Sequence, residues 1–260
     1  MSAEDILTHP QPPPDERVSY GADLNQFVEV RLPRMKSPYP VLLNIHGGYW
    51  RAKYDLAHTG HLCQALRAAG VATFNIEYRR VGNPGGGWPG SFEDIRSAYR
   101  FVRQEYSRFH LDLDRVIVMG HSAGGQLALC LAAHEASLSR AISLAGVIDL
   151  KKAFALHLSN DAVSEFLGGK PDAVPDHYRE ADPIELSIPT ARQWVIHGKD
   201  DDTVPPEISR DYATHKKKVG ESVELLEIPH ANHFDLIDPT SEAFRQVTTT
   251  LLASLSTVSS

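Results

Sequence analysis

A chain of 260 residues is long enough for one large domain with a substantial core. Hydrophobic residues make up 42% and charged residues 23%, with 18 Gly and 17 Pro, a loop-rich globular balance that excludes global disorder and fibrous architectures. Lys and Arg number 26 against 33 Asp and Glu, and the resulting charge of −7 disfavours nucleic acid or an anionic membrane as the main partner.

Met1-Ser2-Ala3-Glu4-Asp5 is acidic where a signal peptide would be basic, and Pro10, Pro12, Pro13 and Pro14 follow where an apolar segment would be required. The expectation is a loosely held proline-rich arm over residues 1–19 and a cytoplasmic location. Short β-branched runs bounded by Gly or Pro predict strands at 28–32, 41–45, 71–76, 116–119, 141–144, 193–197 and 222–228. Helical patterns fall between most of them, at 56–69, 91–106, 122–134, 206–219 and 241–255. The clearest is 91–106, where Ser91 and Asp94 form a capping-box pair and Phe92, Ile95, Tyr99, Val102 and Tyr106 make an apolar face. Cys63 and Cys130 lie in apolar helical stretches without metal-ligand spacing and are expected to be reduced core residues. The longest apolar run, 127–133, is too short to span a bilayer. Alternating strands and helices over the whole length predict an α/β fold, a mostly parallel sheet covered on both faces, forming a single domain over 1–260. Residues 149–189 are less regular and read as a cap-like insertion folding over the edge of the sheet.

Such sheets carry their chemistry on loops beyond the carboxyl ends of the strands. After the run at 116–119 comes Gly120-His121-Ser122-Ala123-Gly124, followed by Gly125 and an apolar helix. This is a G-x-S-x-G elbow in its strand–turn–helix setting, and it presents the Ser122 hydroxyl above the sheet as a nucleophile. The run at 41–45 leads into His46-Gly47-Gly48-Tyr49-Trp50, where two glycines let backbone N–H groups approach a developing oxyanion. Gly47, Gly48 and the N–H of Ala123 are the expected donors, with His46 ordering the loop. The run at 193–197 opens into Asp200-Asp201-Asp202, one of which is expected to orient an imidazole, and the run at 222–228 leads to His230 and His233, one of which should be the base. The chain order Ser, Asp, His is the one expected of this fold.

These four motifs together make the sequence resemble the α/β-hydrolase superfamily over nearly all its length. The His46–Trp50 box is similar to that of its esterase and kynurenine-formamidase (arylformamidase) branch. The resemblance of Asn232-His233-Phe234-Asp235 to that branch's histidine motif implies His233 as the base. The HG-x-x-D-x-x-V-P pattern, laid on His197-Gly198 and Val204-Pro205, implies Asp201 as the acid. It implies a serine hydrolase with neither metal nor organic cofactor, acting on a small ester or amide, with N-formylkynurenine as the alternative substrate. A non-catalytic binding protein on the same fold is the rival of another class; such proteins usually lose a triad member or an oxyanion glycine, and none is lost here. Peptide selection lacks an accessory domain, and the sequence carries no signal for oligomeric state.

The pocket is less legible. Tyr49, Trp50 and Trp88, the last within the glycine-rich loop 82–90, are the expected substrate contacts, and Phe154, His157 and Phe166 of the insertion are candidate walls. Lys216-Lys217-Lys218 is expected to be a solvated helix end.

Overall fold

The computed structural model describes residues 6–256. Its strands are β1 (Glu16–Ser19), β2 (Phe27–Arg31), β3 (Tyr39–Ile45), β4 (Ala72–Ile76), β5 (Leu111–His121), β6 (Arg140–Leu144), β7 (Arg192–Gly198) and β8 (Val223–Ile228). They form one eight-stranded sheet in the order β1-β2-β4-β3-β5-β6-β7-β8. β2 runs antiparallel to β1 and β4, and the remaining pairs are parallel.

Alternation along each strand divides the core into two halves. Val41, Leu43, Val116 and Val118 point to one face, where α2 (Gly90–Gln104), α3 (Ala123–His134) and α7 (Glu207–Lys218) bring Ile95, Leu127 and Tyr212. Leu42, Ile117 and Met119 point to the other, where α1 (Gly60–Ala68) and α8 (Glu242–Ser256) bring Leu62, Leu66, Phe244 and Leu251. Helix α3 is buried from Ala123 to Ala132, as an all-round apolar sequence requires. Cys63 and Cys130 are free and buried within these layers. No helix among the described residues is long and apolar enough to cross a membrane.

Four expectations need correction. Residues 6–19 are not a loose arm: β1 pairs with β2, Ile6 is buried in the α1/α8 layer, and Gln11 exchanges hydrogen bonds with Glu29 (3.3 Å) and Arg31 (3.2 Å). Residues 1–5 of that arm lie outside the described residues. The Ser91/Asp94 box does not form, because α2 starts at Gly90 and both side chains are engaged elsewhere. Ser91 Oγ donates to the Arg79 carbonyl, and Asp94 receives the Arg79 guanidinium at 2.6 and 2.8 Å. Lys216 is buried rather than solvated, its ammonium donating to the Leu186 carbonyl and lying 3.6 Å from Glu221, while Lys217 and Lys218 stay exposed.

The fourth correction concerns residues 149–189, which build α4 (Leu150–Ala155), α5 (Ala162–Leu167) and α6 (Pro175–Ala181). They pack toward the middle of the sheet rather than over its edge, since Phe166 stacks on Trp50, just beyond β3, at 4.4 Å and 9°. The segment is anchored by Asp182, whose carboxylate accepts from the N–H of Leu150 (2.9 Å) and of Lys151 (3.3 Å) at the start of α4. Burial pushes this carboxyl up to about 7, against a tendency of those N–H groups to lower it. Between its unfolded value of 3.8 and about 7 the folded protein keeps a proton that the unfolded chain has lost. Its contribution to stability is therefore largest at low pH and declines as pH rises across that window, by about 1.4 kcal/mol for each tenfold difference in proton affinity. Asp182→Asn should gain on the wild type between pH 4 and pH 7 in denaturant midpoints; a constant gap between them would count against this.

Candidate functional site

β5 and α3 meet at Ser122, whose backbone is held at φ 56° and ψ −120°. That left-handed geometry is unfavourable for a residue bearing a Cβ, and its neighbours enforce it. The Ser122 N–H donates to Leu144 O (2.8 Å), and its carbonyl accepts from Gly125 N (2.9 Å). Ala123 opens α3, so its N–H is among those at a helix start without an intrahelical acceptor.

The loop after β3 lies beside this turn. A Cβ on Gly47 would stand 2.8 Å from His121 O and 3.0 Å from Ser122 Cβ, so even alanine there would displace the serine. Gly48 has φ +108°, and a Cβ would come within 2.4 Å of Tyr54 Cβ. His46, at the start of this loop, is fully buried. Its Nε2 bonds Glu77 Oε1 at 3.0 Å, its ring stacks on Tyr78 at 4.5 Å, and the Tyr78 hydroxyl donates to its carbonyl at 3.0 Å.

Of the three adjacent aspartates only Asp201 turns inward; Asp200 and Asp202 are exposed. Asp201 Oδ1 accepts from the N–H of Thr203 (2.9 Å) and Val204 (2.8 Å), which curls the loop around it. Oδ2 lies 2.7 Å from His233 Nδ1 and 3.1 Å from His197 Nε2. Burial would raise this carboxyl, but the hydrogen bonds from His197 and His233 outweigh it and hold Asp201 well below the usual carboxylate range. His233 is 3% exposed, whereas the side chain of His230 is 94% exposed and its Nδ1 is 3.8 Å from Asp200. The loop carrying His233 is closed by Asn232, whose Oδ1 accepts from Phe234 N (2.9 Å) and Asp235 N (3.2 Å).

Ser122 and His233 share one cavity of about 280 Å³, which Gly48, Tyr49, Tyr54, His58, His121 and Thr203 help to line. Tyr49 ties the glycine loop to the aspartate loop by donating to Thr203 O at 2.9 Å, and burial, together with the charge of Asp201, pushes its phenol up to about 12. Trp50 and Trp88 do not border this space. The Trp50 indole is wholly buried, stacked on Phe166 and bonded to Gln126 Oε1 at 3.0 Å, and Trp88 packs on Phe92 at 5.2 Å. Phe154, Phe166 and the exposed His157 also lie outside it.

Three further histidines surround the pair, and the sequence motifs assign a side-chain role to none of them. His121 Nε2 donates to the His233 carbonyl at 2.9 Å, and burial holds its imidazole neutral. His58 forms part of the cavity wall and is pushed down to about 3 by burial, reinforced by His46. His197, whose Nδ1 bonds Ser209 Oγ at 2.6 Å, presents Nε2 to Asp201. The arrangement puts a hydroxyl on a strained turn and a carboxylate-bound imidazole on the same cavity, a combination suited to acyl transfer. Among the described residues no group of three or more His, Cys, Asp or Glu is placed to hold a metal ion.

Residues 28–215 match the BD-FAE family model. Esterase LipC of Mycobacterium tuberculosis is 29% identical over 248 residues, which cover 85% of this chain and 60% of that protein. The chain thus spans somewhat less than two thirds of the length of this relative. Among solved structures, a truncated carbohydrate esterase from gut microbiota aligns with a TM-score of 0.81 at 20% identity, covering 95% of this chain and all of that one. Thermogutta terrifontis esterase 2 phosphoramylated by tabun aligns at 0.77 and 22%, covering 95% of each. Both share the α/β-hydrolase fold with this chain.

Proposed function

The chain belongs to the BD-FAE family, and from that premise we propose that it is a serine carboxylester hydrolase for small esters, working through Ser122, His233 and Asp201. The reading rests on one observation above others: Ser122, on its strained turn, opens into the same cavity as a His233 whose Nδ1 is 2.7 Å from Asp201. The likeness to a named esterase, LipC, supports the same chemistry.

In this mechanism the Ser122 hydroxyl attacks the acyl carbonyl as His233 takes its proton. Asp201 keeps the proton of the imidazole on Nδ1 and stabilises the charged ring. N–H groups at Gly48 and Ala123, with Gly47 shaping the loop, receive the oxyanion, each donor being worth about 3 kcal/mol. His233 then protonates the departing alcohol and activates a water that releases the acid from Ser122. Neutral His58 and the half-buried Tyr49 phenol add no charge to the cavity at neutral pH.

A cavity of about 280 Å³ is smaller than most ligand pockets. On p-nitrophenyl esters from acetate to octanoate, kcat/KM should therefore peak at or below butyrate. A continued rise to octanoate would overturn the small-substrate reading. N-formylkynurenine belongs in the same panel because of the His46–Trp50 box; turnover far above every ester would replace the ester reading with a formamidase.

A further inference from the structure

The cavity has an apolar wall that the proposed chemistry does not use. Leu7 lines it, together with Phe234, on the side formed by the α1/α8 layer. Leu7 reaches this position from the segment ahead of β1, outside the strand-end loops that carry Ser122, Asp201 and His233. Its neighbours fix it there. Ile6 is only 7% exposed and belongs to the same apolar layer as Leu62, Leu66 and Leu236. Gln11 lies so close to the start of α1 that a Cβ on Gly60 would stand 2.0 Å from its Oε1. Arg31, buried in β2, donates to the Pro12 carbonyl at 2.7 Å and to Gln11 Oε1 at 3.2 Å.

From this geometry we infer that Leu7 is a specificity-determining residue, the stop that limits how long a substrate chain the cavity accepts. The inference rests on the ester reading above and deepens it, because it assigns the short-chain preference to one side chain. A leucine held between a buried isoleucine and a chain pinned to β2 is a fixed wall, so its removal opens space that a longer alkyl chain can fill. Each methylene newly buried there is worth about fourfold in kcat/KM.

The test compares wild type, Leu7→Gly and Leu7→Trp on two series, p-nitrophenyl acetate to octanoate and methyl to octyl acetate. The octyl-to-acetyl or octyl-to-methyl ratio of kcat/KM within each variant cancels differences in the amount of folded enzyme. Leu7→Gly should raise the ratio in at least one series by tenfold or more, and Leu7→Trp should lower the value for butyl groups relative to the shortest member. Ratios equal to wild type in both series, with the shortest esters still hydrolysed, would overturn the role of Leu7 and leave the ester reading standing. No hydrolysis of any ester by the wild type would overturn both.

Discussion

Ser122→Ala is expected to lower kcat/KM on p-nitrophenyl acetate by about 10⁶-fold, the scale of loss when a serine nucleophile is removed. Alanine keeps the Cβ and with it the same φ 56° geometry, so the turn, its bonds to Leu144 and Gly125, and the thermal midpoint should be unchanged. A fluorophosphonate probe should label the wild type at Ser122 alone. Full activity in the variant, or labelling at another residue, would remove the serine mechanism altogether.

Asp201→Asn should cost about 10⁴-fold in kcat, because of how its two oxygens are used. Oδ1 must accept from Thr203 N and Val204 N, while Oδ2 faces His233 Nδ1 and His197 Nε2. An asparagine that keeps its oxygen on the first pair turns its NH₂ toward both imidazoles, which forces the His233 proton onto Nε2, where it blocks acceptance from serine. Asp200→Asn and Asp202→Asn, both at exposed positions, should change kcat only a few-fold, as should His230→Ala. His233→Ala should abolish acylation and deacylation together. Stopped-flow measurements of the burst and steady-state phases would distinguish these cases, and a larger loss in Asp200→Asn or His230→Ala would reassign the acid or the base.

The central strands and the residues at their ends are legible in the sequence for a local reason. A parallel strand buried on both faces is an apolar run, and the turn that follows it needs small residues wherever the chain folds back on itself, as around Ser122 and after Ile45. β1 is not legible. It is four residues long with polar ends, and only its pairing with β2 defines it as a strand. The Ser91/Asp94 pattern satisfies the local rule for a helix start, yet Arg79, twelve and fifteen positions away, competes for both side chains. Trp50 stands one residue beyond a cavity-lining tyrosine, and nothing local says that its indole turns inward to Gln126 and Phe166. The place of Leu7 depends on Gln11 and Arg31, contacts that no periodicity encodes.

The stack of Trp50 on Phe166 is continued by Arg51, whose guanidinium bonds Glu165 at 2.7 Å and the Ser159 hydroxyl and carbonyl at 2.9 and 2.8 Å. The segment that interrupts the strand–helix alternation thus leans on the same glycine loop to which the proposed mechanism assigns an oxyanion donor. For anyone building chimaeras of such hydrolases, these contacts argue for exchanging residues 47–51 and 150–182 together. A donor insertion grafted without its matching tryptophan loop would carry over a new surface and leave the recipient with a slower enzyme.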